Sequence, residues 1–209
     1  MKCPLCKSTK THFFEKNTER VYQKCSNCAL IFVPSHFFLN KLEEKKRYNL
    51  HENFIENIGY RNFLSQVIPP IKERLRKGAI GLDFGSGPSP VLATLLEIEG
   101  YKTSFYDPYY ANNQNVFNKK YDFITLTEVA EHFYYPAIEF EKILHLLKPK
   151  GYLVVMTSRT DTITDFKNWY YQKDPTHVSF YADKSFEFLA SKYKLSISII
   201  DNKIVILNK

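Results

Sequence analysis

The sequence contains no apolar run as long as a membrane-spanning helix, and its first residues, Met-Lys-Cys-Pro, lack the apolar stretch of a signal peptide. It also lacks internal repeats and low-complexity segments, which argues against solenoids and disordered chains. With 44% hydrophobic and 24% charged residues, the 209-residue chain can build a packed core. We therefore expect a cytoplasmic protein with one α/β domain, a small appendage and no membrane contact.

Cysteine is absent after residue 28, and the four cysteines form two Cys-x-x-Cys pairs separated by 18 residues. Two residues between thiolates let one turn present both sulfurs to one ion, so two such turns complete a tetrahedral site. Disulfides are disfavoured in a reducing cytosol. The spacing predicts a zinc ribbon over residues 1–36, with a rubredoxin-like iron site as the alternative. The predicted ligands are Cys3, Cys6, Cys25 and Cys28. Because four thiolates leave no open position, this metal should be structural and take no part in catalysis.

Acidic residues are scarce in the first third of the chain. Residues 1–77 carry 15 Lys and Arg against 7 Asp and Glu, whereas residues 78–209 carry 14 and 15. Such asymmetry is typical of a protein that binds a polyanion such as RNA. It is equally compatible with a solvated surface around a basic helix, because the run at residues 41–47 mixes both signs of charge.

Strands and helices alternate from residue 60 onward. We expect residues 37–59 to be a partly helical linker and residues 60–209 to form a doubly wound sheet with helices on both faces. The prolines at 69 and 70 should interrupt the first helix. The predicted strands are 79–84, 103–106, 123–127, 152–157, 195–200 and 204–207, and the predicted helices are 60–76, 91–99, 137–147 and 185–193.

A nucleotide-binding loop is predicted where the first strand of this sheet ends. Asp83 is followed by Gly85 and Gly87, which permit a sharp turn and close approach of a ligand to the backbone. Asp107 lies 24 residues after Asp83, at the end of the next strand, where a carboxylate can accept hydrogen bonds from ribose hydroxyls. An NAD-binding dehydrogenase is the competing interpretation, but its fingerprint requires a third glycine where Pro90 stands.

These residues resemble the nucleotide loop of class I S-adenosylmethionine-dependent methyltransferases, in which an acidic residue precedes Gly-x-Gly. The resemblance extends to the segments 121–125, 128–132 and 146–153 and covers roughly residues 60–209. It implies a Rossmann-like sheet of seven strands with the last one antiparallel. Only 13 residues separate Asp107 from Tyr121, so the third strand should be short or absent. The expected cofactor contacts are Asp83, Phe84, Gly85, Ser86, Gly87, Asp107, Pro108, Thr127 and Glu128, and Tyr48 or Arg61 could reach the methionine carboxylate.

Ionisable side chains cluster after two neighbouring strands and are the catalytic candidates. Glu128, Glu131 and His132 should share one face of a helical turn, and the loop carrying His177 and Tyr181 should meet them above the sheet. The pattern is similar to that of small-RNA 2′-O-methyltransferases and ubiquinone-pathway O-methyltransferases, which implies a second divalent site, for Mg²⁺ or Mn²⁺, at Glu128, Glu131, His132 and His177. His177 acting as a base without metal, and purely structural roles, remain open alternatives.

The expected activity is O-methylation of a small molecule. An RNA methyltransferase acting on rRNA or tRNA through the basic N-terminal region is one alternative. A non-catalytic zinc-ribbon binding module is another, which failure to bind the cofactor would support.

Overall fold

The computed structural model describes residues 1–50 and 54–209, so that residues 51–53 of the predicted linker lie outside the described part. The strands are β1 (Thr11–Lys16), β2 (Val21–Cys25), β3 (Ile31–Phe32), β4 (Ile80–Phe84), β5 (Lys102–Tyr106), β6 (Tyr121–Thr127), β7 (Leu147–Met156), β8 (Ser179–Phe180), β9 (Ser196–Ile199) and β10 (Ile204–Asn208). The helices are α1 (Lys41–Tyr48), α2 (Ile58–Leu64), α3 (Ile68–Arg74), α4 (Val91–Ile98), α5 (Pro136–Leu146) and α6 (Asp183–Tyr193).

The larger sheet has the order β5-β4-β6-β7-β10-β9. Strands β4 to β7 pair in parallel, β10 is antiparallel to β7, and β9 is antiparallel to β10. The α/β class and the antiparallel final strand are confirmed. The strand number differs from the prediction, because the sheet has six strands within the described residues instead of seven.

The missing strand is the third one of the expected seven. A parallel connection needs a dozen or more residues, usually including a helix. The 13 residues between Asp107 and Tyr121 would have to provide two such connections and a strand, and instead they form turns and one 3-10 segment at Gln114–Asn118. β5 therefore forms one edge of the sheet.

Both faces of this sheet are covered. Because successive side chains of a strand point to opposite faces, one strand contributes to the core on each side. On β7, Leu153 and Val155 pack in one core with residues of α5 and α6. Val154 and Met156 pack in a second core with residues of α2, α3 and α4. The continuous apolar run of β7 thus serves two cores, as expected for a central strand.

The helices are short in the part of the chain that the structure describes. The predicted helix 60–76 is divided into α2, a 3-10 turn at Ser65–Val67 and α3, and Pro69 and Pro70 occupy the first turn of α3, where a missing N–H costs nothing. Even α5 and α6, which are longer than the others described, have only 11 residues each. Within residues 1–50 and 54–209, no helix combines the length and the apolar character needed to cross a bilayer.

The smaller sheet has the order β1-β2-β3-β8 and joins the N-terminal segment to β8 at Ser179–Phe180. β8 was not predicted, because two residues carry no periodicity. Its Phe180 pairs with Ile31 and its Ser179 with Phe32. Cys3, Cys25 and Cys28 lie in the same apolar core as residues of α5 and α6, so the cysteine-rich segment packs directly on the larger unit.

Candidate active site

The loop after β4 is shaped by two glycines in left-handed conformation. Gly85 has φ 84° and Gly87 has φ 66°. A Cβ on Gly85 would lie 2.4 Å from Val129 Cγ2, so only glycine fits this turn. The N–H groups of Gly85 and Ser86 donate to the carbonyl of Tyr106 on β5, at 2.7 and 3.1 Å. The loop is thus held close to the ends of β4 and β5.

Asp83 lies beneath this loop. It is 4% exposed and accepts a hydrogen bond from the hydroxyl of Thr125, at 2.8 Å. Burial raises the pKa of Asp83 to about 6. Ser86 is buried to a similar degree. These two predicted cofactor contacts therefore support the loop from within, whereas Phe84, Gly85 and Gly87 line the adjoining cavity.

Asp107 is tied to the loop by backbone hydrogen bonds. One carboxylate oxygen accepts from Gly87 N at 3.0 Å, and the other accepts from Tyr109 N at 2.8 Å and Tyr110 N at 3.0 Å. An ionised carboxylate offers about four acceptor positions, so this one can also accept from a ligand hydroxyl. Asp107 and Pro108, two of the predicted cofactor contacts, both line the larger cavity.

Two cavities meet at the glycine loop. The larger has a volume of about 650 Å³ and is rich in aromatic side chains, and the smaller has about 370 Å³. Both volumes lie within the range of small-molecule sites. The residues that line both cavities are Gly85, Gly87, Glu128 and His132.

Helix α1 covers the larger cavity. Asn40 caps the helix by accepting hydrogen bonds from Leu42 N and Glu43 N. Glu44, on the cavity side, accepts hydrogen bonds from the hydroxyls of Tyr48, at 2.9 Å, and Tyr109. Tyr48, one of the two predicted contacts of the methionine carboxylate, lines the larger cavity.

The other end of α1 is held by an ion pair. Arg47 contacts Asp174 through Nη2 at 2.8 Å, and both residues line the smaller cavity. Arg61, the alternative to Tyr48 as a methionine-carboxylate contact, lies outside both linings as far as the described residues show.

Glu128 occupies the junction of the cavities. Its φ of 54° is left-handed, which is uncommon for a residue other than glycine and typical of functional sites. Its Oε1 atom is buried and has no hydrogen-bond partner among the described residues. Burial, together with the charge of Glu131, raises the pKa of the Glu128 carboxyl well above its ordinary value. The group is therefore poised to accept a donor from a bound ligand or to carry a proton itself.

Glu131 is fully buried behind this junction. Its two carboxylate oxygens accept hydrogen bonds from the hydroxyls of Tyr171 and Thr157, the latter at 3.0 Å. Burial raises the pKa of Glu131 to about 7. Within the described residues, Glu131 lies outside the two cavity linings. Its hydrogen bonds position Tyr171 and Thr157 behind the site.

His132 and His177 face one another with ring centroids 4.7 Å apart. The Nδ1 atom of His177 lies 2.7 Å from the carbonyl of Tyr171, and that of His132 lies 3.2 Å from the carbonyl of Thr176. Because a carbonyl can only accept, Nδ1 carries the proton in each ring, and Nε2 of a neutral ring then bears the lone pair. Such an imidazole suits a general base or a metal ligand.

The structure brings three of the four predicted ligands of a second metal ion together. One ligand atom from each of Glu131, His132 and His177 lies within 4.8 Å of the others. Glu128 is outside this group within the described residues, and the shared helical face predicted for residues 128, 131 and 132 is wrong. The turn begins only at Ala130, so the left-handed Glu128 precedes it.

Tyr181 is part of the protein core. It is 0% exposed, its hydroxyl donates to the carbonyl of Ala130 at 2.9 Å, and its ring packs on Phe140 and Phe186. Its position supports the turn that carries Glu131 and His132, and it lines neither cavity within the described chain.

Comparison with known proteins identifies the chain. A sequence profile described as "Methyltransferase domain" matches residues 56–197, more than half of its length. The chain belongs to this methyltransferase family. Together with the fold, the match makes it an S-adenosylmethionine-dependent methyltransferase. No curated protein matches its sequence.

Solved structures confirm the fold of the methyltransferase. A putative S-adenosyl-L-methionine-dependent methyltransferase from Methanococcus maripaludis has a TM-score of 0.55 and 14% identity, covering 82% of this chain and 95% of its own. An O-methyltransferase family protein from Burkholderia thailandensis has a TM-score of 0.54 and 14% identity, covering 79% of this chain. The mitomycin 7-O-methyltransferase MmcR gives 0.54 and 14%, covering 78%. The match spans 62% of the Burkholderia protein and 59% of MmcR.

The four cysteines of the methyltransferase are compatible with a zinc ribbon. Their Sγ atoms all lie within 4.8 Å of one another, with 3.6 Å between Cys3 and Cys28 and 3.4 Å between Cys6 and Cys25. Zinc–sulfur bonds of about 2.3 Å in a tetrahedron place sulfurs a little under 4 Å apart, close to these distances.

Several lining residues were not predicted from the sequence. Tyr60 and Leu64 of α2 line the smaller cavity together with Glu128, and Lys173 lines it as well. Tyr109 and Tyr110 line the larger cavity directly after Pro108. The pair of aromatic residues following Asp107 was the available signal, but with 15 Tyr and 17 Phe in the chain no single aromatic residue was distinctive.

Proposed function

We propose that the methyltransferase O-methylates a small molecule, with the adenosine of the cofactor in the larger cavity and the acceptor in the smaller one. S-adenosylmethionine supplies an electrophilic methyl group on its sulfonium. The observation that supports this arrangement is that the two cavities meet at Gly85, Gly87, Glu128 and His132. Methyl transfer requires the acceptor atom to lie in line with the methyl group, and two cavities that share lining residues would let the acceptor approach the methyl group from the second cavity.

On the acceptor side, we propose His177 as the base. A hydroxyl acceptor must lose a proton, and Nε2 of His177 bears the lone pair that can take it, because Nδ1–H donates to the Tyr171 carbonyl. Asp107 would accept hydrogen bonds from the ribose, and Glu128 would accept one from a polar group at the junction, through its unpaired Oε1.

A divalent ion held by Glu131, His132 and His177 is the competing role for the same histidines. Two imidazoles and one carboxylate suit Mn²⁺, Fe²⁺ or Zn²⁺ better than Mg²⁺. Such an ion would orient acceptor hydroxyls, whereas a base would need no metal.

We also propose that Cys3, Cys6, Cys25 and Cys28 bind one structural zinc ion. All four are free cysteines in the structure, which fits a reducing compartment such as the cytoplasm. Residues 1–36 would then form the ribbon, 37–59 the linker and 60–209 the catalytic domain.

RNA remains the alternative acceptor, because the first third of the chain is basic. Several of its cations are engaged within the protein, since Arg20 is buried and Arg47, Lys72 and Arg74 form ion pairs. This favours the small molecule. The family match likewise favours an enzyme over a non-catalytic binding module.

The proposal is tested by screening hydroxylated metabolite pools and RNA pools with S-adenosylmethionine carrying a labelled methyl group. Label should enter the metabolite fraction as a methyl ether. Label found only in RNA, together with RNA binding that weakens steeply with salt, would reverse the assignment of the acceptor. A protein that binds S-adenosylmethionine but labels neither pool would contradict the proposal.

The role of His177 is separated from metal use by a second experiment on the identified acceptor. His177→Gln should lower turnover about 10²–10⁴-fold while leaving cofactor affinity unchanged. His145→Gln is the matched control, because His145 lies in the last turn of α5. If added chelator abolishes wild-type activity and Mn²⁺ restores it, the base mechanism is wrong and the metal mechanism holds.

A further inference from the structure

The ribbon reaches into the loop that carries His177. Arg20, in the turn between β1 and β2, is 5% exposed, and its guanidinium donates to four backbone carbonyls of that loop. Nη1 donates to Pro175 O at 3.0 Å and to His177 O at 2.9 Å. Nη2 donates to Asp174 O at 2.9 Å and to Gln172 O.

Neighbouring ribbon residues hold the same loop. The side chains of Asn17 and Tyr22 donate to Gln172 Oε1, at 2.7 and 2.6 Å. On the other side of His177, Val33 N donates to Val178 O at 2.9 Å, next to the pairing of β3 with β8. The loop is therefore fixed by the ribbon both before and after His177.

A guanidinium is the group that this arrangement requires. It cannot lose its charge in a protein and presents five N–H donors in one plane. The four donors on Nη1 and Nη2 each meet one carbonyl and hold the backbone in one curve, while the buried Nε has no partner among the described residues. A lysine has a single nitrogen and cannot span the same carbonyls. The short contact from His177 Nδ1 to Tyr171 O joins the last residue of this curve to the residue just before its first, so it depends on the same backbone path.

We propose that Arg20 is a positioning residue for His177: by gathering the carbonyls of residues 172–177 it fixes the orientation and the Nδ1–H tautomer of the imidazole. The ribbon is then part of the active-site framework. The consequence for catalysis rests on the proposed role of His177, but the effect on the imidazole does not.

The test uses the zinc-loaded full chain labelled with ¹⁵N at histidine, with the His177 signal assigned through His177→Gln. Wild type should show a single ring state in which Nδ1 carries the proton. Arg20→Ala should show a mixture of the two tautomers, and amide hydrogen exchange should rise about ten-fold or more in residues 172–178 alone. Millimolar guanidinium should restore the wild-type signal by occupying the vacated site.

Arg20→Lys retains the positive charge and is expected to fold. It should still show the mixed tautomer, so the inference can be tested even if Arg20→Ala does not fold. Lys16→Ala, at an exposed lysine of the same ribbon, is the control and should match wild type. If folded Arg20→Lys keeps the single tautomer, or if exchange rises evenly along the chain, the inference is wrong. Calorimetry measures the affinity for S-adenosylmethionine in parallel, and we expect both Arg20 variants to bind it as wild type does. If wild type itself does not bind S-adenosylmethionine, the proposed function is wrong, but the tautomer result still stands.

Discussion

The buried carboxyl of Asp83 gives the fold a specific dependence on pH. Its ordinary pKa is 3.8 and burial raises it to about 6. Because the folded pKa exceeds the unfolded one, the folded state holds the proton more tightly, and the free energy of unfolding falls as the pH rises from about 4 through about 6. Moving one pKa from 3.8 to about 6 corresponds to about 3 kcal/mol, of which roughly half develops between pH 5 and pH 8.

Asp83→Asn removes this dependence and keeps an oxygen that can accept from the Thr125 hydroxyl. The variant should therefore gain stability relative to wild type as the pH rises, by about 1.5 kcal/mol between pH 5 and pH 8. For a chain of this length that is about 3–6 °C in melting temperature. Thermal unfolding of both proteins without cofactor, at matched zinc content, measures the difference directly.

Asp122→Asn is the matched control, because Asp122 lies on a neighbouring strand and its pKa shifts the other way. Although burial raises its pKa, hydrogen bonds from Ile80 N at 2.8 Å and Lys148 Nζ at 2.9 Å hold it below the ordinary value. Its stabilising effect is fully present above pH 4 and is lost only in acid, so Asp122→Asn should be less stable than wild type by a constant amount from pH 5 to pH 8. A constant difference for Asp83→Asn as well would refute the reasoning.

Two further predictions concern the cofactor and the ribbon. Asp107→Asn should weaken S-adenosylmethionine binding about 10–100-fold by calorimetry, because a charged acceptor is lost. The exposed Asp165→Asn should have no effect, and equal affinity in both variants would remove Asp107 from the cofactor site. Cys25→Ser should lose the single zinc ion in elemental analysis and raise hydrogen exchange in β1–β3 and in β8, whereas wild type free of zinc and iron after careful purification would contradict the ribbon.

Local patterns made the larger sheet predictable. The buried runs around Leu82 and Val154 and the turn residues Gly85 and Gly87 are properties of short segments, and they predicted four parallel strands and the glycine loop. Counting residues after Asp107 indicated that the third strand would be short or absent, although seven strands were expected and the sheet has six within the described residues. These features depend on the local sequence and on the reach of the chain.

Contacts between distant segments could not be predicted. The hydrogen bonds from Arg20 to residues 172–177 join positions more than 150 residues apart in the sequence. In the sequence, Arg20 cannot be distinguished from a surface arginine, nor residues 172–177 from an ordinary loop. The shared face expected for Glu128 and Glu131 is wrong because the backbone of Glu128 is left-handed and the turn begins only at Ala130. A helical period cannot reveal where a helical turn begins.

The pairing of β3 with β8 also determines when the small sheet can be completed during translation. Ile31 belongs to the first part of the chain to be translated, but its partner Phe180 is among the last thirty residues of the sequence. Strands β1 to β3 can pair early, while the edge of their sheet stays open until the partner strand has left the ribosome. Closing a loop of that size is entropically costly and slow. Completion of the small sheet, and with it the fixing of the His177 loop, is therefore a late event in the folding of the newly made protein.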